Sequence, residues 1–225
     1  MKTDTQVYSA PQWDEIELVL LDMDGTLLDK NFDNHFWEEY VPGQYAMVHG
    51  ISLEKAKVQL MKRYRAQEGN LNWTDLDYWS GQLGLDIPAL KEQIDHLIVV
   101  HPFVPEFLKA VRTAGKRLIL VTNAHGKTLD LKMGRTSLGG MFHAVYTSQE
   151  LGAPKEEQTF WVALRREMEF DPARTFLADD TLTVLEAARS FGIRYLVHIL
   201  KSSSARPPGR SGSFFAVETF KDVMP

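Results

Sequence analysis

The sequence predicts an α/β fold: a parallel sheet core with helices on both faces and an α-helical insertion after the first strand. Three observations lead there. Short apolar runs at residues 16–21, 117–121, 144–147, 175–178 and 194–197 have the length and composition of strands. The last four are separated by helical patterns at the spacing of strand–helix units, the connection parallel strands require. Between residues 31 and 100 the pattern is helical, with no strand-like run.

The first run is apolar except for Glu17, as expected of a strand buried on both faces, and it ends in Leu20-Leu21-Asp22-Met23-Asp24-Gly25-Thr26. In the stretch that follows, Ser52 caps a helix with the apolar stripe Leu53, Ala56, Leu60, Met61 and Tyr64. Leu76, Trp79 and Leu83 form a second stripe before Gly84, and Leu90, Ile94, Leu97 and Ile98 a third. A connection this long with apolar faces of its own is a small domain, not a loop. The expected division is a catalytic core at 1–30 and 101–225 and a helical cap domain at 31–100. The chain leaves the sheet just after the acid pair and returns near Pro102, so the insertion should lie over that strand end. Beyond it, Pro105 opens a helix through Val111 that Gly115 ends, and helices follow at 159–168 and at 182–191, the latter stopped by Gly192. Residues 201–212 are rich in Ser, Pro, Gly and Arg and read as a loop. Its cations Lys201, Arg206 and Arg210 are either solvated, the simpler reading, or held for an anion.

Composition narrows the function classes. A chain of 225 residues has room for one core plus an accessory module. A formal charge of −5 argues against a nucleic acid polymer as partner. The sequence has no cysteine, which excludes disulfides and thiolate metal sites. The N-terminal residues lack the basic-then-apolar order of a signal peptide, and no apolar run is long enough to span a membrane, so a cytoplasmic protein without a membrane partner is expected.

In an open parallel sheet, ligands bind outside the carboxyl ends of the strands. Those ends carry Asp22 and Asp24, then Thr122 and Asn123, then Lys155 shortly after the third strand, then Asp179 and Asp180. Two carboxylates at one strand end resist joint ionisation unless a cation lies between them. Asp22 and Asp180, from facing strand ends, are suitable ligands for Mg²⁺, which takes one or two carboxylates plus phosphate oxygens and water. A carboxylate so placed can also attack phosphorus. Asp24, two residues on, is within reach of a leaving oxygen as acid and then of water as base. Thr122, Asn123 and Lys155 are suited to phosphoryl oxygens. Taken singly, each has a plain alternative: the acid pairs as turn or helix caps, Thr122-Asn123 as turn chemistry, Lys155 as a surface lysine. Their occurrence in order, each at a strand end, favours the joint chemical reading.

These residues resemble the motifs of the haloacid dehalogenase superfamily of phosphatases. Asp22-Met23-Asp24-Gly25-Thr26 matches the first motif, Thr122 the second, Lys155 the lysine motif and Asp179-Asp180-Thr181 the acidic fourth. The resemblance covers nearly the whole chain and implies a Rossmann-like core. It further implies Asp22 as nucleophile and Asp24 as general acid/base. Mg²⁺ would be held by Asp22, the Asp24 backbone carbonyl and Asp180, with Asp179 as an outer or auxiliary acid. Glu156 departs from the proline that many members carry after the lysine, with no expected consequence for the chemistry.

A narrower resemblance, to the bacterial GMP/IMP nucleotidase branch, lies in Phe32-Asp33-Asn34-His35-Phe36-Trp37, Leu71-Asn72-Trp73, Leu76-Asp77-Tyr78-Trp79 and Thr122-Asn123-Ala124-His125. It implies a purine nucleoside monophosphate as substrate. The cap aromatics are then either base-stacking surfaces or, as Trp79 in its apolar stripe suggests, core. His125 is either a substrate contact or a helix start. A sugar-phosphate phosphatase or a phosphomutase would keep every motif. A dehalogenase would lack an acid at Asp24, and a phospho-accepting receiver would carry its aspartate on a middle strand without a cap.

Overall fold

The computed structural model describes residues 10–225, so residues 1–9 of the predicted core segment 1–30 lie outside the described residues. Six strands form one sheet: β1 (Leu18–Leu21), β2 (Arg117–Thr122), β3 (Ala144–Thr147), β4 (Thr175–Asp179), β5 (Tyr195–Ile199) and β6 (Phe215–Val217). Their order is β3-β2-β1-β4-β5-β6 and every pairing is parallel. From β1 the chain moves outward through β2 and β3, then crosses back to β4 and continues the other way. That reversal opens a crevice at the carboxyl ends beside β1, where ligands bind in such sheets.

The alternation of side chains sorts the sheet into two apolar faces. Leu18, Leu20, Ile119, Val121 and Leu177 pack with Phe160, Trp161 and Leu164 of α9 (Gln158–Glu167) and with Val184, Leu185 and Ala188 of α10 (Leu182–Phe191). Val19, Leu21, Leu118, Leu120, Phe176 and Ala178 pack on the other face with Val104, Phe107, Leu108 and Val111 of α6 (Val104–Thr113). This second cluster continues without a break into the inserted segment through Leu27, Leu28, Phe32, Phe36, Leu60 and Trp79.

That segment is helical, as expected: α1 (Asn31–His35), α2 (Val41–His49), α3 (Leu53–Arg65), α4 (Leu76–Leu83) and α5 (Ile87–Gln93). A wide π-helical turn, Phe36–Tyr40, joins α1 to α2 just before Pro42, whose ring leaves the helical ladder one donor short. The Ser52 hydroxyl caps α3 by accepting from Lys55 N. Of the predicted stripe on α3, Ala56, Leu60 and Tyr64 are buried, whereas Leu53 and Met61 flank the packed face and stay exposed. The third stripe is not one helix. α5 stops at Gln93, Ile94 leaves helical geometry, and a 3₁₀ turn (Asp95–Leu97) carries Ile98 back toward the sheet.

Departure and return lie side by side. Asp29 N donates to Val99 O (2.8 Å) and His101 N to Leu27 O (2.9 Å), with Leu28 and Val100 bridged between them. The 200–214 loop, irregular as expected, is stitched to the same place: Lys30 N donates to Ser202 O and Ser204 N to Asp29 Oδ1, both at 3.0 Å. Of its cations, Arg206 is paired with Glu38 at 2.6 Å and Lys201 donates to the Arg206 carbonyl. Strand β6 and helix α7 (Gly126–Arg135) were not individually expected, and Thr122 and Asp179 are the last residues of their strands. Among the described residues no helix is long and apolar enough to cross a membrane.

Trp161 shows how packing reaches the strand ends: it is fully buried, and its Nε1 donates to Lys155 O at 2.8 Å. Trp161→Ala is expected to cost about 3–5 kcal/mol in urea unfolding. Trp161→Phe, which strands only the Lys155 carbonyl, should cost about 1–3 kcal/mol.

Candidate active site

The carboxyl ends of β1, β2 and β4, with the turn after β3, bring the predicted residues together. Lys155 is their centre. Its ammonium donates to Asp22 Oδ1 (2.5 Å), Asp179 Oδ2 (2.7 Å) and Val121 O (3.4 Å), with only 3% of its side chain exposed. Burial alone would lower its proton affinity; the carboxylates of Asp179 and Asp22 outweigh that and keep it charged. Burial pushes the Asp179 carboxyl up to about 7, against the pull of Lys155, with Asp22 and Asp180 adding to the rise. Asp179 Oδ1 accepts from Thr181 N (2.9 Å), which fixes the start of α10.

The loop after β1 aims the acids. It turns back on itself through Leu27 N and Leu28 N, both donating to Met23 O at 2.9 Å. Gly25 has φ +92°, and a Cβ there would lie 2.5 Å from Asp180 Oδ2 and 2.7 Å from its Cγ. The Asp180 carboxylate therefore sits directly against the loop backbone, held there by Lys30 Nζ at 2.8 Å. Asp22, Asp179 and Asp180 each present a carboxylate oxygen within 4.8 Å of the others. Asp22 Oδ2 is buried without a hydrogen-bond partner among the described residues. An all-carboxylate set of this kind with an orphaned anionic oxygen fits a hard divalent cation such as Mg²⁺. The Asp24 carboxylate is not part of that set.

At the end of β2, Thr122 is buried and its Oγ1 accepts from Ala124 N (3.0 Å). Asn123 is fixed twice by the lysine turn, its Oδ1 accepting from Lys155 N (3.0 Å) and its Nδ2 donating to Glu156 Oε2 (2.9 Å). Glu156, expected to have no bearing on the chemistry, is thus a direct partner of Asn123. His125 starts α7 and accepts from Lys127 N through Nδ1 (3.3 Å). Its Nε2 lies 3.8 Å from Asp75 Oδ1 of the inserted segment, and its ring lines the cavity, so the helix-start position also places it beside the site.

Two buried lysines, and the ionic role of Asp33 between them, are not apparent from the sequence. Lys132 of α7 donates to Asp24 Oδ1 (2.5 Å) and Asp33 Oδ2 (2.6 Å), while Lys91 of α5 donates to Asp33 Oδ1 (2.9 Å). Both lysines are at least 98% buried; Lys91 lies over the Phe32 and Phe36 rings and Lys132 over Phe32. Burial raises the Asp24 carboxyl to about 6 despite Lys132, with Asp33 and Asp22 adding to the rise. Burial would raise Asp33 too, but Lys132 and Lys91 outweigh it and hold that carboxyl well below the usual carboxylate range.

A cavity of about 510 Å³ opens over these groups, within the range of small-molecule sites. Asp22, Asp24, Thr122, Asn123, Lys155 and Asp180 line its floor, and Trp37, Tyr64, Trp73 and Trp79 of the inserted segment line its other side. Trp79 is core, 1% exposed, and its Nε1 donates to Trp73 O (3.0 Å); Trp73 itself is 41% exposed. An anionic group with a flat apolar attachment matches such a cavity.

Comparison with known proteins supplies the frame. Residues 16–192 match the sequence pattern of the haloacid dehalogenase-like hydrolases. The chain is 38% identical over 192 residues to the GMP/IMP nucleotidase YrfG of Escherichia coli strain K12, covering 85% of this chain and 86% of that protein. Among solved structures, a HAD phosphatase from Thermococcus onnurineus superposes with a TM-score of 0.78 at 22% identity, over 92% of this chain and 95% of that one. A putative β-phosphoglucomutase from Thermotoga maritima shares the fold, with a TM-score of 0.68 at 17% identity over 93% and 97% of the two chains.

Gly25→Ala is expected to push Asp180 out of place and strain a left-handed turn, reducing turnover by about 10²-fold or more while leaving the far-ultraviolet spectrum unchanged. Asp33→Asn should destabilise by about 3 kcal/mol near neutral pH, because two buried lysines lose their shared partner. A carboxyl depressed on folding contributes stability that is complete above its unfolded value and lost as pH falls through its folded value. The difference between wild type and Asp33→Asn should therefore shrink below about pH 4 when urea unfolding is compared across pH.

Proposed function

The chain belongs to the haloacid dehalogenase-like hydrolases and is a phosphoric monoester hydrolase, and on that premise we propose that it hydrolyses a purine nucleoside 5′-monophosphate through an aspartyl-phosphate on Asp22. The main support is Asp22 itself. One of its oxygens is neutralised by a buried ammonium, the other has no protein partner, and the residue lines the floor of the cavity. Lys155 and the dipoles of Thr122 and Asn123 border the place where phosphoryl oxygens would gather charge in the transition state, the kind of preorganised stabilisation that dominates phosphoryl transfer.

In the proposed reaction an Asp22 oxygen attacks phosphorus and the bond to the nucleoside 5′-oxygen breaks. Asp24 gives its proton to that oxygen, then takes one from the water that attacks the aspartyl-phosphate, releasing inorganic phosphate and restoring the Asp22 carboxylate. A carboxyl raised to about 6 holds a useful share of its protons near neutral pH. Asp22 and Asp180, with the Asp24 main-chain carbonyl, would hold Mg²⁺, and Asp179 would stand behind them on Lys155. When bound, the ion supplies positive charge against the phosphoryl oxygens.

Two features support the purine. The 38%-identical E. coli protein bears the name GMP/IMP nucleotidase, and Trp73 presents an exposed indole at the cavity while Trp79 anchors its carbonyl from below. Stacking on such a ring is worth about 1–3 kcal/mol per base.

The test is phosphate release with Mg²⁺ across purine and pyrimidine 5′-nucleotides and sugar phosphates. GMP and IMP should lead the panel, and Asp22→Asn should be silent with all of them yet fold normally. Turnover in that variant would overturn the covalent route, and preference for sugar phosphates would overturn the substrate. Trp73→Ala should raise KM about tenfold for purine nucleotides and leave KM for small alkyl phosphates unchanged.

A further inference from the structure

Neither the proposed reaction nor the motifs that led to it assign any task to Lys132. It lies near the middle of α7, 1% exposed, with its ammonium shared between two carboxylates that belong to different parts of the chain. Asp24 comes from the loop after β1, and Asp33 from the first helix of the inserted segment. We propose that Lys132 is a positioning residue for the leaving-group proton, orienting Asp24 by one oxygen and coupling that orientation, through Asp33, to the seating of the inserted helices. The inference deepens the function proposed above and rests on Asp24 as general acid/base.

Three observations carry it. Among the described residues, Lys132 is the one hydrogen-bond partner of the Asp24 side chain, so it is the directional contact that orients that carboxyl group. The contact uses Oδ1, and the Asp24 side chain, 21% exposed, lines the cavity, which leaves Oδ2 as the oxygen that would carry the proton to substrate. The second partner of Lys132, Asp33, is itself fixed by Lys91 of α5 at 2.9 Å. Displacing α1 and α5 therefore moves Asp33, which removes the second contact fixing the Lys132 ammonium and lets the Lys132–Asp24 pair shift together away from the aligned position. Proton delivery would be in register only with the helices seated.

A lysine that merely neutralises buried acids and one that aims a general acid differ in how they respond to the leaving group. When the phosphorus–oxygen bond of an alkyl phosphate breaks, the departing oxygen needs the Asp24 proton. When that of p-nitrophenyl phosphate breaks, the phenolate leaves as a stable anion and no proton is needed. The experiment is single-turnover phosphoryl transfer with Mg²⁺, comparing GMP, or the alkyl phosphate that ranks first in the panel, with p-nitrophenyl phosphate.

Lys132→Met should slow transfer from the alkyl phosphate by about 10²-fold, in the range of general acid catalysis, and transfer from the aryl phosphate by less than about tenfold. KM should change little for either, and Lys132→Arg should recover part of the alkyl rate. Equal losses with both substrates would reduce Lys132 to a structural counter-ion and overturn the inference. Asp24→Asn, run beside it, keeps the two ideas apart. If that variant loses both substrates equally, the general-acid reading of Asp24 fails. If it shows the leaving-group dependence and Lys132→Met does not, only the positioning role fails. Should Lys132→Met not fold, the double variant Lys132→Met/Asp33→Asn removes one stranded carboxylate and carries the same comparison.

Discussion

Everything at the carboxyl edge of this sheet depends on one buried ammonium. β1 and β4 are apolar strands paired side by side, and each ends by delivering an aspartate into the same dry corner. Asp22 and Asp179 would repel each other there, and neither reaches enough solvent to disperse its charge. Lys155 resolves this by bonding both at once, from a turn that is itself tied to Asn123 on one side and to Trp161 on the other. Through Trp161 the apolar core thus reaches the lysine turn directly. Removing half of such an arrangement is far more damaging than replacing the whole of it, which is why the sheet and its acids are best viewed as one unit.

The same logic recurs a few ångströms away with different partners. Lys132 and Lys91 share Asp33, and Lys132 also holds Asp24, so the inserted helices meet the sheet through charge as well as through Leu27, Phe32 and Trp79. The apolar part supplies area and little direction. The ionic part supplies direction, because a lysine between two carboxylates tolerates few geometries. Together they place an aromatic wall opposite a floor of acids and Lys155.

Much of this was legible in the sequence, and the part that was not has a physical reason. Asp22, Asp24, Thr122, Asn123, Lys155, Asp179 and Asp180 could be found because each ends or follows a short apolar run, and a strand end is a local pattern. Lys91 and Lys132 could not, and Asp33, though part of the run 32–37 noted in the sequence, had no ionic role legible there. A lysine on a helix normally marks the solvated side, and what buries these is contact between segments far apart in the chain, which no window of residues contains. Glu156 was discounted for the same reason, since its partner Asn123 is 33 positions away. β6 was missed because three residues beside a Ser- and Gly-rich stretch carry too little pattern, and the break at Ile94 because an apolar stripe continues smoothly through a change of backbone geometry.

The stitching of the 200–214 loop to both tethers of the inserted segment has a consequence for how the chain is made. Synthesis runs from the N-terminus, so Asp22, Asp24 and the helices meant to cover them leave the ribosome first. Lys155 and Asp179 follow much later, and Ser202 and Ser204, which fix Lys30 and Asp29, come within the last two dozen residues. Until Lys132 and Lys155 are made Asp24 and Asp22 lack their ammonium partners, and until Ser202 and Ser204 are made the outgoing tether has no clasp. During synthesis the acid pair thus waits for partners encoded more than a hundred positions downstream.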